Sequence, residues 1–163
     1  MSIIGIVAVD KHGAIGRGGA IPWHYSADLK FFQQQTINHA CVMGAQTWRS
    51  LKRPLKERLN IVLSRHMENE TPSGIVLIRD KISVLALQPY LACHLFIIGG
   101  AQIYRAFLPE IAEWIVTEVP VTVEDADTFM PEGYLEGFSP RQTLELEDNL
   151  RVTYYGRDPV VER

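Results

Sequence analysis

The chain has 163 residues, of which 47% are apolar and 21% charged, and a net charge of −3. That composition excludes a disordered chain, and the length suits one domain with a sizeable core. The slight acidic excess gives no footprint for nucleic acid, which would need a clear basic surplus or stripe.

Taken in chain order, Ile3 to Val9 is an Ile/Val/Ala run short enough for a central strand. It has no basic start, and Asp10 and Lys11 close it, so it reads as neither a signal peptide nor a membrane span. From Asp10 to Pro22, glycines at 13, 16, 18 and 19 are expected to forbid regular structure and permit positive φ. A loop of that length in a compact domain is more often functional than idle. Ser26 is expected to cap a helix ending near Ile37-Asn38-His39, with Asp28 in its first turn. Phe31 and Phe32 follow one turn later over the same face. A carboxylate among aromatic rings is costly unless paired donors meet it. On these residues alone Asp28 chiefly complements the helix dipole, worth about 0.3–1 kcal/mol.

Ala40 to Met43 reads as a second strand, running through Gly44-Ala45-Gln46-Thr47-Trp48 into a short helix broken by Arg53-Pro54-Leu55. Asn60 to Ser64 is a third strand, Arg65 to Ser73 a polar surface loop, Ile75 to Ile78 a fourth strand and Ile82 to Leu87 a brief helix. Leu95 to Ile98 is a fifth strand, halted by Gly99-Gly100, and Ala101 to Leu108 a helix stopped by Pro109. Trp114 to Val119, a segment near Phe129-Met130, and paired strands at Arg141 to Leu146 and Leu150 to Arg157 complete the chain. Glu147-Asp148-Asn149 is the expected hairpin turn. The pattern predicts an α/β domain with a central mixed, mostly parallel sheet of about eight strands and an antiparallel C-terminal edge, flanked by about four helices. No internal repeat or linker divides the chain, so residues 1–163 read as a single domain.

Two strand ends share one design. Val42-Met43-Gly44-Ala45-Gln46-Thr47 and Ile97-Ile98-Gly99-Gly100-Ala101-Gln102 each pass from an apolar strand through glycine into a helix. In a parallel sheet both helix starts lie at the C-terminal edge, where ligands bind, and exposed N–H groups there suit anions such as a pyrophosphate. Neither matches the Gly-x-Gly-x-x-Gly fingerprint or a P-loop. Adjacent Gly99 and Gly100 point to close approach of backbone to ligand. Cys41 and Cys93 lie far apart without metal-type spacing; of the two readings, a long-range disulfide or reduced, buried thiols in a cytoplasmic protein, the second is expected, with no metal bound.

Several spaced motifs, in order, resemble those of the dihydrofolate reductase family over nearly the whole length. They are Ile15-Gly16, Ile21-Pro22-Trp23, Ala27-Asp28-Leu29 and Phe32; Val42-Met43-Gly44 and Thr47-Trp48; Arg53-Pro54-Leu55 with Arg58 and Asn60; Leu63-Ser64-Arg65; Ile97-Ile98-Gly99-Gly100, Ile103-Tyr104, Thr117 and Asp127-Thr128. The resemblance implies reduction of 7,8-dihydrofolate to tetrahydrofolate by hydride transfer from NADPH, with protonation at pterin N5. In it the cofactor carries the hydride chemistry, and the protein orients and polarises.

By the same resemblance, Asp28 is the single active-site acid, accepting from the pterin 2-amino group and N3–H, with Thr117 in its network. Trp23 and Tyr104 complete the catalytic group. Ile6, Ala8, Leu29, Phe32, Leu51, Leu55 and Ile98 would line the pterin and p-aminobenzoyl pocket. The Ile6 and Ile98 carbonyls would accept from the amino edge of an antifolate. Arg58 would take the glutamate α-carboxylate, a task suited to guanidinium.

On the cofactor side the resemblance places Ala8, Ile15, Gly16, Ala20, Ile98 and Tyr104 toward the nicotinamide. Gly44, Ala45, Gln46, Thr47, Gly99, Gly100, Ala101, Gln102 and Ile103 fall along the pyrophosphate, and Leu63, Ser64, Arg65 and Arg79 around the adenosine 2′-phosphate. It implies an adenosine-binding subdomain at roughly 39–89, a cis Gly99–Gly100 bond, and a lid from Asp10 to Trp23 held closed by Asp127. Diaminopyrimidine and pteridine antifolates are expected to compete with substrate, and a monomer without nucleic-acid or membrane partners is expected. Three positions depart from the family's habit: Ala45 where a basic residue is common, Gln102 where some members have arginine, and Ala126 where glycine commonly precedes the loop acid. The first two lower positive charge near the phosphates, and Arg65 and Arg79 stand as compensation. The retained acid argues against a non-catalytic binding protein, and Arg58 against a reductase whose substrate lacks a glutamate tail.

Overall fold

The computed structural model describes residues 1–68 and 73–162. Of the expected Arg65–Ser73 loop, residues 69–72 lie outside the described residues. Strands are β1 (Ile3–Val9), β2 (Ala14–Gly16), β3 (Ala40–Gly44), β4 (Leu59–Leu63), β5 (Ile75–Ile78), β6 (Leu95–Gly99), β7 (Glu113–Glu118), β8 (Thr128–Phe129), β9 (Phe138–Glu145) and β10 (Arg151–Arg157). Helices are α1 (Ser26–Thr36), α2 (Ala45–Leu51), α3 (Lys81–Leu87) and α4 (Ala101–Phe107). Among the described residues, eight strands form one sheet in the order β5-β4-β3-β6-β1-β7-β10-β9. Pairing is parallel from β5 through β7 and antiparallel from β7 to β10 and from β10 to β9. The expected fold class is therefore observed, with its antiparallel C-terminal edge.

Alternation along the strands builds a core on each face of the sheet, because successive side chains point to opposite sides. Val7, Val42, Ile61, Ile97 and Val116 pack on one face with Val84 of α3 and Tyr104 and Phe107 of α4. Ile4, Ile6, Met43, Val62, Phe96 and Ile115 pack on the other with Phe31 of α1 and Trp48 of α2. Each large side chain buried this way contributes about 1.5–3 kcal/mol. Gly5 has a packing reason: a Cβ there would lie 2.5 Å from the ring of fully buried Trp114, its neighbour on β7.

Two local expectations are corrected. Ser26 is the first helical residue rather than the cap; Tyr25 holds the cap position in extended conformation and no side chain caps the helix. Asp28 still falls in the first turn. The Asp10–Pro22 segment is also more regular than its glycines imply. Ala14–Gly16 pairs with Thr128–Phe129 as a small antiparallel sheet. Beyond it, Arg17 and Ala20 exchange two backbone hydrogen bonds (2.9 and 3.1 Å) around Gly18 (φ 58°) and Gly19 (φ 80°). Positive φ at both central residues makes this a tight two-residue hairpin turn, which glycine permits without strain. No helix among the described residues is long and apolar enough to cross a membrane.

Candidate active site

The C-terminal edge of the parallel strands opens into a cavity of about 240 Å³, lined by residues of β1, the lid, α1, α2, β6, α4 and β7. Most of its wall is apolar: Ile6, Ala8, Leu29, Phe31, Phe32, Leu51 and Ile98. A register shift between β3 and β6 pairs Val42 with Ile97 but Met43 with Gly99. Ile98 is thus the extra residue of a bulge, and it faces the site on the same side of the sheet as Phe96.

Among the described residues Asp28 is the one carboxylate in that wall. Burial pushes its pKa up from the ordinary carboxylate value, and a hydrogen bond with the Thr117 side chain pulls it back only in part. Thr117 is itself buried on β7. An acid with few donors of its own in an apolar cavity has capacity to spare for a ligand that brings them. Tyr104 stands on α4, its hydroxyl donating to the Ile6 carbonyl at 2.7 Å. Burial raises its pKa further above the phenol range, so it is a neutral anchor. The Ile6 carbonyl, expected to face a ligand's amino edge, therefore already serves Tyr104 with one lone pair.

The opposite side of the cavity is glycine-built. Gly99, Gly100, Gln46 and Thr47 line it, and the Gly99–Gly100 peptide bond is cis. A Cβ on Gly99 would sit 3.2 Å from the Tyr104 ring. Neither α2 nor α4 has a side-chain cap, so Gly44 and Gly100 leave the first N–H groups of both helices unspent. Ile15, Gly16 and Ala20 bring the lid to the same cavity.

The lid is docked. Gly18 N–H donates to Asp127 Oδ2 at 2.8 Å, Arg17 pairs with Asp125 at 3.0 Å, and Asp127 N–H donates to the Gly16 carbonyl at 3.1 Å. The Gly18 bond is the largest influence lowering the Asp127 pKa, followed by that from Thr128. At the lid's base, buried Asp10 accepts from the N–H groups of His12, Ala14 and Val123 at 2.8, 2.8 and 2.9 Å.

Other expected site residues flank the cavity rather than line it. Trp23 is one, its indole N–H buried without a partner among the described residues. Leu55 and Arg58 lie on the loop before β4, which Asn60 knits by accepting from Leu55 N–H and donating to the Leu55 and Arg58 carbonyls. Gly44, Ala45, Ala101, Gln102 and Ile103 surround the two helix starts, outside the enclosed part. Leu63, Ser64, Arg65 and Arg79 gather at the ends of β4 and β5. There Arg79 Nη1 donates to the carbonyls of Ser64 (3.3 Å), Arg65 (3.5 Å) and Met67, while Ser64 Oγ accepts from Met67 N–H. Arg79 Nη1 therefore serves the loop, whereas the Arg65 side chain lies at an exposed position. The cavity also includes Val7, Gly19, Ile21, Phe31, Ser50 and Thr128, which were not among the expected site residues. Signals existed for two of them: Phe31 shares the Asp28 face, and Ser50 lies one helical turn beyond Thr47.

An apolar pocket with one acid, joined to a glycine-built edge beneath the Asp10–Trp23 loop, can hold a flat polar ring beside a phosphate-bearing group. Comparison with known proteins gives the family. The family model for dihydrofolate reductase matches residues 2–155, and the chain belongs to that family. It is 40% identical over 139 residues to a dihydrofolate reductase of Mycobacterium leprae, covering 80% of this chain and 82% of that one. It is 31% identical over 135 residues to one from Haemophilus influenzae, covering 78% and 77%. A bifunctional dihydrofolate reductase-thymidylate synthase of Glycine max is 34% identical over 91% of this chain, which spans only 32% of that protein. A solved dihydrofolate reductase from Enterococcus faecalis, complexed with NADP(H) and RAB-propyl, superposes with TM-score 0.88 at 28% identity, covering 97% of each chain. The chain is accordingly an NADPH-dependent reductase of dihydrofolate.

Proposed function

We propose that this chain reduces 7,8-dihydrofolate with Asp28 fixing the pterin, Arg58 holding the glutamate tail and the Gly99–Gly100 edge holding the cofactor. The observation that carries the reading is Asp28 itself: the one carboxylate of an apolar cavity, with its pKa raised by burial and Thr117 as its polar neighbour. Its two oxygens match the paired donors of a pterin 2-amino group and N3–H. An acid engaged at that edge cannot also reach N5. Its part in protonation is to stabilise positive charge on the pterin ring, with the lid excluding bulk water around it.

The residues present fit NADPH. Gly99 and Gly100 keep the backbone bare, and the uncapped starts of α2 and α4 offer N–H donors to a pyrophosphate. When bound, the cofactor supplies the hydride. Ala8, Ile15 and Tyr104 shape the nicotinamide end, and residues 39–89 form the adenosine-binding part, with Ser64 and Arg65 at the 2′-phosphate. A cytoplasmic setting agrees with Cys41 and Cys93, both free thiols, that of Cys41 pushed up to about 12 by burial.

The test is loss of absorbance at 340 nm on mixing protein, dihydrofolate and NADPH, repeated with NADH. Rapid loss with NADPH is expected. Loss mainly with NADH would overturn the Ser64 and Arg65 assignment, and no loss with either from folded protein would overturn the reading as a whole.

A further inference from the structure

At the edge of the sheet opposite the cavity, two half-buried imidazoles carry the hydrogen-bond ladder one rung past the strands. β3, β6 and β1 are parallel neighbours there. Their backbone pairing opens with Ala40 N–H donating to the His94 carbonyl (3.1 Å) and Leu95 N–H to the Ser2 carbonyl (3.0 Å). Just before those bonds the backbone donors turn to side chains instead. His94 N–H donates to His39 Nδ1 at 2.9 Å, and Ser2 N–H donates to His94 Nδ1 at 3.0 Å. The two rings stand 5.0 Å apart, and Phe96 meets them edge-on at 5.5 and 6.4 Å.

A ring nitrogen that accepts an N–H carries no proton of its own, so both rings are neutral, with their proton on Nε2. Protonation would set a second donor where an N–H already points, and two charged rings at this separation would repel. Burial first, and the facing His94 second, hold the His39 pKa below the ordinary imidazole value of 6.5. The other titratable or charged groups on the surrounding segments are the Met1 amine, Cys41, Cys93, Lys56, Glu57 and Arg58. The loop before β4 reaches the pair by backbone alone, Leu59 N–H donating to the His39 carbonyl at 3.0 Å. Among the described residues neither imidazole has a carboxylate partner to stabilise its charged form. We propose that His39 and His94 form a proton-operated clasp on the β3-β6-β1 edge, closed while both rings are neutral and opened by their protonation, which unties Ser2 and His39 from His94. Its contribution to stability is complete above pH 6.5 and fades as the pH falls through the native pKa of His39, below that value.

Thermal unfolding of the full chain from Met1, at about pH 7.5 and about pH 5, tests the clasp. Asparagine sets Oδ1 in the place of Nδ1, so His39→Asn combined with His94→Asn keeps both acceptors and removes their titration. Between the two pH values the wild type is expected to lose roughly 3–6 °C more Tm than the double variant, the scale of two hydrogen bonds in a domain of this size. Equal losses would overturn the proposal, because every other titrating group is common to both proteins. A second measurement needs no variant, so the proposal stays testable if the double variant does not fold. In the wild type, imidazole nitrogen chemical shifts should show both Nδ1 atoms unprotonated at about pH 7.5. The His94 and Ser2 amide protons should then move upfield as the rings titrate, as amides do on losing an acceptor. Amides that stay fixed while the rings titrate would overturn it as well.

Discussion

Asp127 holds the lid through the backbone of Gly18, accepting its N–H at 2.8 Å from the strand side of the cavity. The bond needs no lid side chain, and it grips one of the two glycines at the hairpin tip. In the docked state the lid tip is a closed hairpin, its Arg17–Ala20 bonds made within the lid itself. Asp127→Asn is expected to lower kcat several-fold with little change in dihydrofolate affinity, and Asp127→Ala to lower it further. Pre-steady-state hydride transfer checks this; an unchanged rate in both variants would remove the latch role.

Asp28→Asn should fold and lose about 100-fold or more in kcat at neutral pH, a loss typical of removing a group that manages protonation. Activity should recover in part as the pH falls and substrate arrives protonated. The same variant should be more stable without ligand. Burial raises the Asp28 pKa, so the native state binds its proton more readily than the unfolded chain. Ionised Asp28 thus opposes folding above its native pKa, and that penalty is gone below the ordinary value of 3.8. A gain in Tm at pH 7 that shrinks toward pH 4 is expected; equal Tm values at pH 7 would contradict it.

Cofactor choice should divide between Arg65 and Arg79. Arg65→Ala is expected to raise KM for NADPH about tenfold while leaving NADH unchanged, since a guanidinium–phosphate contact is charge-assisted. Arg79→Ala removes the guanidinium whose Nη1 serves the Ser64, Arg65 and Met67 carbonyls, and should raise KM for both cofactors. Steady-state kinetics with each cofactor separates a phosphate ligand from a loop support.

Arg157→Ala should lower stability by about 2 kcal/mol, the scale of a guanidinium hydrogen-bonded to carbonyls. Its Nε donates to the Ile111 carbonyl and its Nη2 to those of Leu108 and Pro109, beyond the end of α4, while the plane lies 4.7 Å from the Phe138 ring centroid. The partners are neutral, so chemical denaturation by urea should give the same loss at low and high salt. A loss that vanishes in salt would point to an ion pair instead.

What was legible in the sequence was legible for physical reasons. Apolar runs such as Ile3–Val9 and Ile97-Ile98-Gly99-Gly100 specify buried parallel strands, and helical spacing places Asp28 with Phe31 and Phe32. The β2–β8 pair was not legible, because three residues with a terminal glycine carry no alternation to read. The bulge at Ile98 was equally hidden: it arises from the register of β6 against β3, a tertiary choice. Arg79 shows the same limit. That its Nη1 donates to the Ser64, Arg65 and Met67 carbonyls is a contact only the fold reveals.

The strand order also bears on how the chain is made. Among the described residues β1 pairs with β6 and β7, so during synthesis it has no sheet partner until Leu95 and its successors are made. At cellular synthesis speeds of about 5–20 residues per second, that leaves an unpaired Ile-Ile-Gly-Ile-Val-Ala-Val segment for roughly 5–20 s. Such a segment is apolar, uncharged and strand-prone, the kind that seeks other chains when left open. The central position that sets β1 beneath the cavity thus also leaves it unpaired for much of the chain's synthesis.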